Sequence, residues 1–136
     1  MKLRALLAVA TAAAALTGCG TKAADLFIVN RSGSTPHAQL TMLVNEEGNV
    51  NCNGGPTLKL SDPQLVTART IQEETQQAAS SNLSLPPRPG SVLRYYLREE
   101  GGSIRFSDNS AGQPAILRQL QLFVVQVAQQ VCHLPE

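Results

Sequence analysis

The chain contains no tryptophan, and tyrosine and phenylalanine supply all of its 4% aromatic content. So few rings exclude a platform on which nucleotide bases or sugars stack in series. Histidine is nearly missing as well, with only His37 in a Ser/Gly/Pro-rich stretch and His133 beside the C-terminus. No nucleophile elbow surrounds any serine, so neither a Ser-His-Asp nor a Cys-His set has candidates. We assign no catalytic residue and no metal ligand. Long hydrophobic runs are lacking too. The one uncharged apolar stretch, Ala5 to Leu16, falls short of the roughly 20 residues that span a bilayer. Charge of one sign is not in surplus, with 11 basic residues against 10 acidic ones. That balance gives no sign of a nucleic-acid partner.

What is present begins at the N-terminus. Lys2 and Arg4 form the positive n-region of an export signal, and Ala5 to Leu16 its apolar h-region. The run ends in Leu16-Thr17-Gly18-Cys19, which departs from the usual small-x-small cleavage pattern. This stretch resembles the lipobox of bacterial lipoproteins, a hydrophobic residue and two small ones followed by cysteine. The resemblance implies that Cys19 is acylated and becomes the first residue once the signal is cut. Two or more acyl chains anchor stably, because each buried methylene contributes about 0.8 kcal/mol. The partner it implies is the lipid bilayer, and the location is extracytoplasmic, lipid-anchored to the bacterial cell membrane. Residues 1–18 then form the signal peptide, 19–25 the lipidated cysteine and a small polar tether, and 26–136 a single domain. With Lys2 and Arg4 gone, 9 basic and 10 acidic residues are left, a net charge of −1.

Only three cysteines occur, so giving lipid to Cys19 leaves one pair, Cys52 and Cys132. In an oxidising compartment such a pair reads as a disulfide. The alternative, a metal or redox pair, lacks CxxC spacing and a supporting cluster of histidines or carboxylates. A bond closing about 80 residues stabilises by about 4 kcal/mol in the chain-entropy model.

Hydrophobic patterning places the elements. "LFIV" at 26–29 reads as a strand, broken by "SGSTPH" with its Gly33 and Pro36. Leu40, Met42 and Val44 share one parity of a second strand, and Glu46-Glu47-Gly48 makes a turn into a third that carries Val50 and Cys52. "NGGPTLKL" reads as loop. A helix follows over "SDPQLVTARTIQEETQQAA", capped by Ser61 or Asp62, with Pro63 in its first turn and a thin apolar stripe through Leu65, Ala68, Ile71 and Thr75. The proline-rich "SSNLSLPPRPG" is an extended link. Then "SVLRYYLREEGGSIRFSD" alternates as a hairpin, with Leu93, Tyr95 and Leu97 inward and Arg94 and Arg98 outward. The last element is the strongest, a helix whose Ile116, Leu117, Leu120, Phe123, Val124, Val127, Ala128 and Val131 fall on one face. The order β-β-β-α-β-β-α predicts an α+β fold: an antiparallel four- to five-stranded sheet of two hairpins, with two helices on one face.

The remaining motifs are weak as chemistry. Glu46-Glu47, Glu73-Glu74 and Glu99-Glu100 are paired carboxylates, but general acid–base work needs one member buried. Their positions in turns and on an exposed helix face predict solvated charges. "NGG" at 53–55 and "EGGS" at 100–103 are turns, since they lack the lysine and following helix of a phosphate loop. Arg94, Arg98 and Arg105 make at most a modest basic stripe on the second hairpin.

A second resemblance covers most of residues 27 to 131. The early Arg31-Ser32-Gly33, an acidic hairpin, a helix, the Pro-rich link, the hairpin ending Phe106-Ser107-Asp108 and the proline-started last helix are similar to emfourin-type proteins. Those are small inhibitors of thermolysin-like metalloproteases. The chain also resembles a group of actinobacterial lipoproteins. It departs from the emfourin-type pattern in having Gly33-Ser34-Thr35-Pro36 where Ser-Gly-Gly often follows the arginine, and in its cysteine pair and anchor. The resemblance implies a non-enzymatic domain without cofactor that binds a secreted metalloprotease through Arg31, Ser32, Gly33 and His37. The alternative is a scaffold or accessory lipoprotein for another envelope protein.

Overall fold

The computed structural model describes residues 20–135; Cys19, like the rest of the leader, lies outside the described residues. Six strands form one antiparallel sheet in the order β4-β3-β2-β1-β5-β6. They are β1 (Asp25–Gly33), β2 (Leu40–Asn45), β3 (Asn49–Cys52), β4 (Thr57–Lys59), β5 (Leu93–Glu99) and β6 (Gly102–Ser107). Two helices, α1 (Asp62–Ser80) and α2 (Ala115–Gln130), complete the α+β fold.

The sheet has six strands where four to five were predicted. Thr57–Lys59, read as loop, pairs with Asn49–Asn51 as the edge strand β4. Three residues between Pro56 and Leu60 are too few to show alternation, so only pairing to β3 reveals them. The first strand is also longer than "LFIV". It continues through Ser32 and Gly33, because residues 28–33 pair along β5, two residues beyond the end of the β2 ladder at Arg31. Pairing to β5 outweighs the local preference of Ser-Gly for a turn.

Strand alternation sorts the two faces. Phe27, Val29, Met42, Val44, Val50, Leu97 and Ile104 are buried beneath the helices. Helix α2 contributes Ile116, Leu117, Leu120, Phe123, Val124, Val127 and Ala128, and Phe123 meets Phe27 edge-on at 6.1 Å between ring centroids. Helix α1 contributes the thinner row Ala68, Ile71, Thr75 and Ala79. Its start is a capping box: the Ser61 amide donates to Gln64 Oε1 at 2.9 Å while Ser61 Oγ accepts from the Gln64 amide.

The sheet thus has two poles. At one lie the start of β1, the 46–48 turn and the 100–101 turn. At the other lie the end of β1 and the loops at 34–39, 53–56 and 86–92. Eight steps of about 3.3 Å along β1 separate the poles by about 26 Å. The chain enters at the first pole, where the Glu46 amide donates to Ala24 O at 2.9 Å.

Candidate functional site

Arg31 is the organising residue of the far pole. Its strand position, opposite Leu40 and Tyr95, sends the side chain to the helix side of the sheet. The guanidinium donates from Nε to Ala38 O at 3.0 Å and from Nη2 to His37 O at 3.2 Å. One rigid fork therefore holds two successive carbonyls, a task that suits arginine's planar donors better than lysine's single ammonium. The loop it closes is pinned again by Ala38 N to Thr35 O at 3.2 Å and by Ser34 N to Val92 O at 3.1 Å. Burial pushes the Tyr95 hydroxyl pKa up, and the nearby Arg31 charge opposes that rise.

His37 itself is exposed and holds a left-handed φ of 60°, a region histidine tolerates better than β-branched residues do. Gly33 is required by crowding. A Cβ there would stand 2.1 Å from the Val92 carbonyl oxygen, well inside any real contact. Thr35, Pro36 and His37 form one wall of a cleft of about 170 Å³, and Val125, Ala128 and Pro135 line the other.

The disulfide between Cys52 and Cys132 lies at this same pole, with its Cα atoms 6.3 Å apart. It ties the end of β3 to the segment after α2, and Leu134 N bonds back to Ala128 O at 2.8 Å. Cleft and loop are therefore built on a cross-linked base.

The four residues expected to bind a partner do not form one patch. Arg31 and His37 come together through the guanidinium fork. Ser32 alternates to the opposite sheet face, where it pairs with Arg94 in the β1–β5 ladder. Gly33 serves the backbone approach to Val92. Of the four, Gly33 and His37 are exposed; His37 belongs to the loop 34–37, and Arg31 acts as that loop's brace.

One expectation is corrected outright. Glu99 is not solvated in a turn but ends β5 in the inward parity of Tyr95 and Leu97, and it is only 8% exposed. Its Oε1 is hydrogen-bonded to Thr75 Oγ1 of α1, and burial raises its pKa against the lowering effect of that bond. The signal was available in the alternation 93, 95, 97, 99, which the adjacent Glu-Glu-Gly-Gly turn pattern obscures. Glu46, Glu47, Glu73, Glu74 and Glu100 are exposed, as their positions predict.

Among the described residues no group of three or more His, Cys, Asp or Glu is placed to hold a metal ion. No described helix is long and apolar enough to cross a membrane. Comparison with protein families, with curated proteins and with solved structures finds no match for the chain.

Proposed function

We propose that this chain is a lipid-anchored, extracytoplasmic binding domain that presents the loop 34–37 to a protein partner. We take that partner to be a thermolysin-like metalloprotease whose cleft the loop enters. The observation that carries the reading is the guanidinium fork from Arg31 to the His37 and Ala38 carbonyls. A loop already fixed in one conformation loses little entropy on docking, so more of its contact energy appears as affinity. Inhibition would then be occlusion: the loop fills the cleft and keeps substrate from the open coordination position of the protease zinc.

Two further features support it. Entry of the chain at one pole leaves the braced loop about 26 Å away along β1, clear of an anchor at Cys19. The Cys52–Cys132 bond suits a compartment where thiols oxidise. The scaffold reading draws on a different surface, the open sheet face described below.

A pull-down from detergent-solubilised membranes with the acylated protein tests the proposal. Capture of a metalloprotease that fails with R31A supports the inhibitor reading. Capture of another envelope protein, unaffected by R31A, favours the scaffold. No specific capture defeats both. Intact mass of the same material reads the acylation of Cys19 separately.

A further inference from the structure

The helices cover one face of the sheet and leave the other open. On that open face the outward strand positions from Ile28 onward carry four cations, Lys59, Arg94, Arg98 and Arg105, and no carboxylate. Lys59 is engaged, donating to Glu47 O at 2.7 Å. The three arginines surround Tyr96. Arg94 and Arg98 flank it along β5, and Arg105, its partner on β6, stacks over the ring at 4.6 Å from the centroid. Among the described residues no side chain pairs with the guanidinium groups of Arg94 and Arg98. Beside them, the link that runs along β6 presents Leu85, Pro86 and Pro87 as the wall of a cleft of about 320 Å³. Cations around a tyrosine, next to exposed prolines, match the headgroup level of a bilayer, where amphipathic rings and basic side chains collect.

The acids lie elsewhere. Asp25, Glu46, Glu47, Glu73 and Glu100 are all exposed around the pole where the chain enters. A domain standing upright on that pole would press five carboxylates, only partly offset by Lys22 and Arg69 beside them, toward the lipid phosphates. Lying on the sheet face instead offers three arginines, Arg94 and Arg98 free of side-chain partners and Arg105 stacked on Tyr96, which together bias orientation about a hundredfold at low salt. Residues 20–24 extend to about 17 Å at most, enough for the domain to turn from pole to face and no more.

We propose that the open sheet face, centred on Arg94, Arg98, Arg105 and Tyr96, docks on the phosphate-rich surface of an anionic bilayer. In that pose α2 and the cleft beside loop 34–37 face away from the lipid, which leaves the partner site free. The proposal rests on the anchoring reading above, and its test is arranged so that the two fail separately.

Chain 19–136, with Cys52 and Cys132 bonded, has one free thiol, Cys19. Coupling that thiol to a maleimide lipid in vesicles imposes the anchor whether or not cells acylate it. The vesicles are phosphatidylcholine with or without phosphatidylglycerol, doped with a headgroup-spin-labelled lipid. Relaxation enhancement is compared between Tyr96 and Ser103 on the sheet face and Arg118 and Leu122 on α2. With phosphatidylglycerol we expect the sheet face to relax at least about threefold faster, and the ratio to fall toward one without it or in R94E/R98E/R105E. A ratio near one in anionic vesicles, faster relaxation on α2, or a bias that survives the triple variant overturns the proposal. The mass of membrane-extracted protein decides the acylation of Cys19 on its own.

Discussion

Thr75 Oγ1 of α1 and Glu99 Oε1 of β5 are hydrogen-bonded across the helix–sheet interface, with both residues buried. Within its own helix the Thr75 hydroxyl also lies 2.6 Å from Ile71 O and 3.3 Å from Gln72 O. The Thr75 hydroxyl donates to Glu99 Oε1, which favours the ionised carboxylate, while burial disfavours it. Burial outweighs the bond, so the Glu99 carboxyl titrates above its ordinary range.

Stability should fall as pH rises. The folded pKa of Glu99 lies above its ordinary value, so the folded state binds the extra proton. The contribution is fully present below the ordinary carboxylate range and is lost as pH climbs through the raised pKa. Glutamine keeps the shape and a donor without the charge. Melting curves between pH 4 and 8 should show E99Q more stable than wild type at pH 8, with the gap closing toward pH 4. Parallel curves would show that Glu99 is not the group responsible.

Removing the brace should loosen the loop without unfolding the domain. R31A loses two charge-assisted bonds to carbonyls, each worth about 1.5–3 kcal/mol. Partner affinity should drop about tenfold or more. R31K keeps the charge and loses the fork, so it should resemble R31A more than wild type. Amide exchange at Ala38, bonded to Thr35 O, reads the loosening directly.

G33A should disturb the same pole by a different route. The added methyl meets the Val92 carbonyl, so either β1 or the 91–92 segment must move. A loss of about 1–3 kcal/mol in chemical denaturation is expected, together with weakened exchange protection at Ser34, whose amide bonds Val92 O. Wild-type stability in G33A would mean that the approach relaxes freely.

Breaking the disulfide should cost about 4 kcal/mol, given 80 residues of separation. Comparing C52S/C132S with wild type in urea measures it. Intact mass of exported protein should show no free thiol at either position, and two free thiols would contradict the pairing.

Much of this fold is legible in the chain because its period signals are clean. The last helix repeats its apolar face through Val127, and the second hairpin alternates from Leu93 to Leu97, so both are placed correctly. Ser61 and Pro63 mark the start of α1 through cap chemistry alone. What escapes depends on distant partners. Thr57–Lys59 becomes a strand only beside β3, and Ser32-Gly33 stays extended only because β5 runs along it. The site is less legible than the fold. Arg31-Ser32-Gly33 looks like one motif, yet alternation sends its side chains to different faces. The arginines of the second hairpin surround Tyr96 only once β6 folds back over β5.

The central claim is that loop 34–37, braced by Arg31, blocks a thermolysin-like metalloprotease. The direct measurement is the rate of peptide hydrolysis by such a protease titrated with chain 20–136, wild type beside R31A. The account predicts slowed hydrolysis with wild type in the micromolar range, with R31A weaker by about tenfold. Unchanged hydrolysis at micromolar excess of the wild-type chain would contradict it.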